Sequence, residues 1–273
     1  MNFELPYLPP RSSKPRTAGL NMIMDKGLSI RQAEDLIESS RDYIDYLKLG
    51  FGTSIVTPRL KEKIKLYRDA GFDVYPGGTL FEAYYVRGKL DDFRKMVDEF
   101  GMNTIEVSDG SIVLPHDEKC RVISLLTKSH KVLSEVGSKE EGILISPAKW
   151  IKMMRNELDA GSIKVIAEAR ESGNVGIYRP NGTAHVMLIN KILSKIKGSD
   201  ILWEAPKKEQ QVWFIKNMGF DVNLGNISTN DVIPLECLRL GLRGDTFFEH
   251  LPNDIIEVAQ HKSTEQSKAK KKK

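Results

Sequence analysis

The sequence predicts an α/β protein that folds as a single (β/α)8 barrel, or TIM barrel. Short apolar segments alternate with longer amphipathic segments, and eight such pairs fit between Gly19 and Leu251. No stretch with the composition of a linker separates them. Alternating strands and helices favour a parallel sheet. Eight units in about 230 residues favour a closed barrel over an open, doubly wound sheet.

Each predicted strand is short and precedes a helix or a helix pair. Proline or a capping residue marks several helix starts, as at Pro58, at Ser146-Pro147 and at Ser228 or Thr229. We expect an N-terminal arm at 1–19, the catalytic barrel at 20–251 and a polar, basic, disordered tail at 252–273. The strands are predicted at 20–25, 46–50, 72–75, 104–108, 131–136, 163–169, 201–206 and 222–226.

The composition excludes several classes of protein. Hydrophobic residues make up 40% of the chain and charged residues 29%, which is typical of a globular protein. The net charge of +4 comes largely from the lysines at 268–273, so we expect no nucleic-acid partner. Two cysteines cannot build a disulfide framework, and no apolar run reaches the ~20 residues that span a bilayer. We therefore expect a cytoplasmic protein with no membrane partner and no signal peptide.

Polar residues interrupt strands that a buried parallel sheet would keep apolar. Period-two alternation places Lys48 opposite Leu47 and Leu49 on the second strand, and it places Glu106 opposite its apolar neighbours on the fourth. The outward face of a barrel strand packs under helices, so the polar side chains should point inward, near the mouth at the carboxyl ends of the strands. The same argument covers Asp25 and Lys26, Glu168 and Arg170, Glu204, and Asn223.

So many buried charges must neutralise one another or hold a ligand, because an unpaired buried ion costs several kcal/mol. A salt-bridge network without chemistry is one interpretation, and a catalytic site is the other. Oxygen ligands favour Mg²⁺, and the lack of paired His or Cys motifs argues against zinc. The strand-end lysine allows three roles: a Schiff base, a general acid or base, or an ion-pair partner. Glycines that follow the strands, Gly77 and Gly78 among them, allow close backbone approach to an anionic ligand.

The same segments resemble the phosphosulfolactate synthase family, whose relatives include plant heat-stress-associated proteins. The resemblance runs from Lys14 to Thr246, and its most specific parts are Glu-Ala-Arg-Glu-Ser-Gly and Gly-Leu-Arg-Gly-Asp-Thr. The matching stretches are Lys14–Arg16, Asp25–Leu28, Lys48–Ser54, Gly77–Glu82, Ile105–Gly110, Glu168–Gly173, Glu204–Pro206, Asn223–Ile227 and Leu240–Thr246.

The resemblance implies a carbon-sulfur lyase that adds sulfite to phosphoenolpyruvate with Mg²⁺ and forms (2R)-3-phosphosulfolactate. This step belongs to coenzyme M biosynthesis in methanogens and to sulfolactate biosynthesis in bacteria. Lys48 is then the expected proton donor, with Arg170 and Glu168 as further catalytic residues. Lys26, Asn223, Asn226, Gly77 and Gly78 are expected to bind substrate, and Glu106, Glu168, Glu204 and Asp25, or Asp109, to bind metal.

Two other functions stay open at this stage. One is a different enolate-forming lyase that uses the same metal and lysine on another acid. The other is a non-enzymatic stress-associated or interaction protein, which the intact set of charged strand ends disfavours. We expect small anionic substrates as partners, and a homo-oligomer such as a trimer, because barrels of this kind often assemble.

Overall fold

Eight parallel strands form the centre of the protein. The computed structural model describes residues 3–137, 145–169 and 172–260. Along the sheet the strands lie in the order β3-β2-β1-β8-β7-β6-β5-β4, with neighbours in parallel register. The strands are β1 (Asn21–Asp25), β2 (Tyr46–Leu49), β3 (Asp73–Pro76), β4 (Thr104–Val107), β5 (Lys131–Val136), β6 (Lys164–Ala167), β7 (Ile201–Glu204) and β8 (Leu224–Ser228).

Side chains close the barrel between β3 and β4. The Val74 amide donates to Asn103 Oδ1 over 3.0 Å, and the Gly78 amide donates to Glu106 Oε1 over 2.8 Å. These bonds continue the cylinder where the backbone ladder stops. The sequence-based prediction of a single (β/α)8 barrel is confirmed.

In the part of the chain that the structure describes, one α-helix follows each strand around the barrel, two follow β3, and a further helical segment at 253–260 lies beyond the last of them. Ser29 begins the first with a capping box that includes Gln32, and Ser146 caps the helix that follows β5, with Pro147 in its first turn. The helices are α1 (Ile30–Ser40), α2 (Leu60–Asp69), α3 (Gly78–Tyr85), α4 (Leu90–Glu99), α5 (His116–Leu126), α6 (Pro147–Asp159), α7 (Val186–Leu193), α8 (Lys208–Met218) and α9 (Val232–Arg239). No helix of the described ranges has both the length and the apolar character needed to cross a membrane.

The alternation of each strand separates two apolar cores. The larger core lies between the strands and the helices and contains Leu47, Ile105 and Val165. The smaller core fills the barrel interior and consists of Leu20, Met22, Tyr46, Tyr75, Leu133, Ile166 and Leu202. Because this core fills the half of the interior near the beginnings of the strands, the interior is open only near the carboxyl ends of the strands.

The N-terminal arm closes the opposite end of the barrel. Arg11 bonds Glu236 at 2.8 Å and Asp221 at 2.7 Å, and Arg16 pairs with Asp45 at 3.2 Å. Asp45 and Asp221 precede β2 and β8, so these pairs fasten the arm to the beginnings of the strands.

The segment after the barrel differs in part from the expected disorder. Residues 253–260 are helical, and Ile255 shares an apolar groove with Leu5 and Leu8 of the arm. Partial burial of apolar side chains therefore orders the first third of the segment. The rest of the predicted disordered tail, at 261–273, lies outside the described residues.

Candidate active site

A cavity of about 350 Å³ lies at the carboxyl ends of the strands. Residues from seven strand ends, two loops and the beginning of α3 line it, which matches the position of active sites in barrel enzymes. Its residues are Met24, Lys48, Phe51, Gly78, Thr79, Glu106, Glu135, Glu168, Ser172, Glu204 and Asn226.

Lys48 occupies the base of the cavity among carboxylates. Its Nζ lies 3.0 Å from Glu106 Oε2, 3.6 Å from Glu204 Oε1 and 3.7 Å from Glu135 Oε2. Burial opposes the charge of Lys48, but the three carboxylates outweigh it and raise the pKa well above the ordinary value. Lys48 is therefore an ammonium ion at neutral pH.

Three carboxylates beside Lys48 form a compact cluster. Glu135, Glu168 and Glu204 each place an oxygen within 4.8 Å of the other two, and all three side chains are buried. Burial raises the pKa of Glu204 to about 7, Lys48 opposes this shift, and the charges of Glu135 and Glu106 add to it. The negatively charged form of Glu204 is thus disfavoured in this cluster, and a bound cation would stabilise it.

This cluster fits a hard divalent cation. Mg²⁺ prefers carboxylate oxygens and is usually held by a few of them together with water or substrate. Glu204 Oε1 has no hydrogen-bond partner among the described residues, although it lies near Lys48. A buried oxygen in that position is suited to ligate a cation. Glu135, Glu168 and Glu204 are the residues that would hold it.

The beginning of α3 positions Glu106. Gly77 precedes the helix, and the first helical amide, that of Gly78, bonds the Glu106 carboxylate. A Cβ on Gly78 would lie 2.6 Å from Glu106 Oε1 and would overlap Ser108, so only glycine allows the helix to approach β4. Thr79, in the next position, is exposed to the cavity.

Two cavity residues have left-handed backbone conformations that favour glycine. Asn226 has φ +57° and Phe51 has φ +46°. Asn226 lies beside a register shift between β1 and β8, is 7% exposed, and its Oδ1 has no hydrogen-bond partner among the described residues. Backbone strain and an unsatisfied polar atom both cost free energy, and such features cluster at functional sites.

The structure brings together several residues that the sequence singles out. Six of them line the cavity: Lys48, Glu106, Glu168, Glu204, Asn226 and Gly78. Gly77 precedes Gly78 at the beginning of α3. Lys26 is exposed in the turn after β1 and does not line the cavity. Arg170 lies outside the described residues.

Asp25 does not lie in the carboxylate cluster. Its carboxylate accepts bonds from the amides of Gly27 and Leu28 at 2.7 Å, from Tyr67 at 3.0 Å, and pairs with Lys63 at 2.7 Å. The predicted metal role does not fit this placement, because four donors already satisfy the carboxylate. Asp25 instead fixes the β1–α1 turn. Asp109 is likewise engaged, by Lys119 at 2.9 Å.

Asn223 lies at the other end of the barrel from the cavity. Strand β8 begins at Leu224, two residues later than predicted, so Asn223 precedes the strand. Its side chain bonds the Leu20 amide and the carbonyls of Ser199 and Ile201. Asn223 thus joins the beginnings of three strands, and the predicted substrate contact is not possible from there.

Glu135 is the cavity carboxylate that the sequence prediction missed, and Thr79 and Ser172 were missed as well. Leu133 points into the barrel and Val132 and Val136 point outward, so the alternation of β5 directs Glu135 inward. The alternation of apolar and polar residues that identified Glu106 and Lys48 was therefore present in β5 as well.

Solved structures with low sequence identity share the fold. The 3-keto-L-gulonate-6-phosphate decarboxylase of Vibrio cholerae matches with a TM-score of 0.51 and 10% identity over 86% of this chain and all of that one. The 3-hexulose-6-phosphate synthase of Salmonella typhimurium matches with a TM-score of 0.50 and 13% identity over 82% of this chain and all of that one. Both likenesses support the barrel fold alone.

Sequence relatives are much closer. The phosphosulfolactate synthase of Methanothermobacter thermautotrophicus is 43% identical over 87% of this chain and 95% of its own length. That of Bacillus subtilis is 40% identical over 88% of this chain and 97% of its own length. The plant protein HEAT-STRESS-ASSOCIATED 32 of Arabidopsis thaliana is 21% identical over 84% of this chain and 88% of its own length. The family model of (2R)-phospho-3-sulfolactate synthase matches residues 9–245, and the chain belongs to this family.

Proposed function

We propose that the protein is a carbon-sulfur lyase that adds sulfite to phosphoenolpyruvate with Mg²⁺ and forms (2R)-phospho-3-sulfolactate. Membership of the family supports the reaction, and one observation of the site carries the assignment. A buried ammonium, Lys48, lies among four strand-end carboxylates at the barrel mouth, three of which are close enough to hold one cation. This arrangement suits an anionic acid whose negative charge grows during reaction.

The reaction requires stabilisation of charge and one proton. The sulfite sulfur bonds the methylene carbon of phosphoenolpyruvate with its lone pair, and the π bond of the carbon-carbon double bond breaks. The π electron pair moves to the adjacent carbon and is delocalised as the enolate of the substrate carboxylate. A bound Mg²⁺ would stabilise the negative charge on that carboxylate. A proton then reaches the same carbon from one side, which sets its configuration.

Lys48 is the proposed proton donor. Its raised pKa keeps the ammonium protonated before the reaction, so a proton is available at neutral pH. The same protonation argues against a Schiff base, because only a neutral amine attacks a carbonyl group. The shortest of the three ion pairs of Lys48 is with Glu106, at 3.0 Å, and the first amide of α3 holds Glu106 in turn.

Neutral donors at the edge of the cavity are proposed to bind the anionic groups. The amide of Asn226 and the hydroxyls of Thr79 and Ser172 line the cavity and carry no negative charge. Lys26, in the neighbouring turn, and Arg170 are the proposed cationic contacts for phosphate or sulfite. Anionic substrates need these donors because the carboxylates alone would repel them.

Product formation tests the proposal directly. Purified protein with phosphoenolpyruvate, sulfite and Mg²⁺ should form phosphosulfolactate, detected by ³¹P NMR, and omission of any one component should abolish it.

Lys48→Arg keeps the positive charge but is too weak an acid to give up its proton, so turnover should fall by a factor of about 10² or more. Lys65→Arg changes an exposed lysine of α2 in the same way and should leave turnover unchanged. Folded wild-type protein without turnover would contradict the proposal.

A further inference from the structure

The loop between β6 and α7 folds back onto the strand ends that carry two of the clustered carboxylates. Within its described part, residues 172–185, Tyr178 and Ala184 form an antiparallel bridge, and the Arg179 amide bonds the Thr183 carbonyl over 2.9 Å. Gln210 of α8 holds the loop from outside through the carbonyls of Gly173 and Gly182. The loop is therefore an ordered element with its own hydrogen bonds.

The backbone ladder between β6 and β7 ends just before the two carboxylates. The last paired residues are Ala167 and Trp203, so Glu168 and Glu204 extend beyond it. In a parallel ladder the next donor to the Glu204 carbonyl would be the Ala169 amide. That amide donates instead to the Glu204 side chain, at 2.9 Å from Oε2. The Glu204 carbonyl therefore needs another donor.

Tyr178 supplies that donor. Its hydroxyl donates to the Glu204 carbonyl over 2.7 Å in a buried position, and the residue is 4% exposed. The preceding residue, Ile177, donates its amide to the Glu168 carbonyl over 3.1 Å. Gly176 approaches the same carbonyl so closely that a Cβ would overlap it. Adjacent loop residues thus hold the backbones of Glu168 and Glu204 together.

We propose that Tyr178 is a positioning residue that sets the spacing of the Glu168 and Glu204 carboxylates for a divalent cation. The inference rests on the proposed cation site. The Tyr178 hydroxyl replaces the missing ladder bond, which frees the Ala169 amide to orient the Glu204 carboxylate. Residues that orient metal ligands commonly change metal affinity or activity by a factor of about 10–100 when they are mutated.

Tyr178→Phe removes only the hydroxyl, and the ring keeps its packing. Tyr67→Phe is a matched control, because Tyr67 is also buried and its hydroxyl bonds one oxygen, Asp25 Oδ2, at 3.0 Å. Asp25 keeps Lys63 and two amides in that variant, and it lies outside the carboxylate cluster. The two variants therefore lose the same group in different places.

Binding of Mn²⁺ to metal-free protein, followed by the electron paramagnetic resonance of the free ion without substrate, separates the outcomes. We expect the Kd for Mn²⁺ to rise about tenfold in Tyr178→Phe and to stay within about twofold of wild type in Tyr67→Phe. With saturating Mg²⁺ the turnover of Tyr178→Phe should approach that of wild type.

Two results would overturn the inference alone: wild-type Mn²⁺ affinity in Tyr178→Phe, or an equal loss of affinity in Tyr67→Phe. Wild-type protein that binds no Mn²⁺ would instead overturn the proposed cation site, and the inference with it. Turnover of the wild type with sulfite and phosphoenolpyruvate is measured separately, so failure of the proposed reaction is distinguishable from both.

Discussion

Asn226 combines a strained backbone with a side chain directed into the cavity. Asparagine tolerates φ near +57° better than most residues, but glycine adopts it without strain. Two substitutions therefore separate the backbone from the amide. Asn226→Gly removes the amide and keeps the backbone conformation, whereas Asn226→Ala removes the amide and adds strain of about 1 kcal/mol.

If the amide binds substrate, both variants should show a KM for phosphoenolpyruvate raised about tenfold, from the loss of one hydrogen bond to a charged group. Only Asn226→Ala should also lose stability, by about 1 kcal/mol in urea unfolding. An unchanged KM in a stable Asn226→Gly would show that the amide has no part in binding.

Residue-level prediction succeeded where alternation alone decides the direction of a side chain. Lys48, Glu106 and Glu204 each lie between outward apolar neighbours, and each reaches the cavity. Asn223 failed because alternation fixes the face of a side chain and not its height along the barrel. Even in the predicted strand at 222–226 it is the second residue, and β8 begins one residue after it. The engagement of Asp25 depends on Lys63 and Tyr67 of α2, a contact between distant segments that local pattern does not encode.

At the scale of secondary-structure elements, a buried lysine joins α5, α6 and the end of β5. Lys119 is fully buried and lies 2.9 Å from Glu157 of α6 and 2.9 Å from Asp109 of the β4–α5 loop. It also donates to the carbonyl of Glu135 over 2.5 Å, behind the carboxylate cluster. Burial opposes its charge, but the two carboxylates prevail and raise the pKa of Lys119.

Lys119→Met should be strongly destabilising, because it leaves two carboxylates without their shared cation. We expect the free energy of unfolding to fall by about 3–5 kcal/mol at pH 7. Burial already raises the pKa of Glu157, which Lys119 opposes, so the variant should recover part of the loss at lower pH as Glu157 takes up a proton. Lys65→Met, which breaks an exposed pair with Asp69, should cost at most about 0.5 kcal/mol. Equal losses in the two variants, measured by urea unfolding at pH 5.5 and 7, would contradict this account.

The elements themselves were predictable because each strand is short, apolar and followed by an amphipathic helix. All eight strands appear within two residues of the predicted starts. The bulge of β8, which turns Asn226 into the cavity, was not predictable, because it arises from pairing with β1. The helix at 253–260 was missed for a similar reason, since its few apolar residues are ordered by the N-terminal arm.

On the scale of the whole molecule, stability and function oppose each other at the barrel mouth. The opposite end is closed by the arm and by Asn223, and the interior below the cavity is packed with apolar side chains. The mouth instead gathers four buried carboxylates around Lys48. Like charges in a buried space repel one another, so the metal-free protein stores unfavourable energy at this end. A bound cation should release that energy.

The stability of the metal-free protein should therefore decrease as pH rises from about 4.5 to 7. The folded-state pKa of Glu204 is raised to about 7 from its usual 4.5. The folded protein thus binds more protons than the unfolded chain between these values, and deprotonation at higher pH favours unfolding. Glu204→Gln should lack this part of the slope.

Mg²⁺ replaces the lost proton, so it should raise the melting temperature more at pH 8 than at pH 5.5, where protons compete with it. At a concentration of 100 Kd the gain is about 2.7 kcal/mol, or a shift of about 5–10 °C for a chain of this size. Calorimetric scans with and without Mg²⁺ at both pH values measure the difference, and an equal shift at both would show that Glu204 does not exchange its proton for the cation.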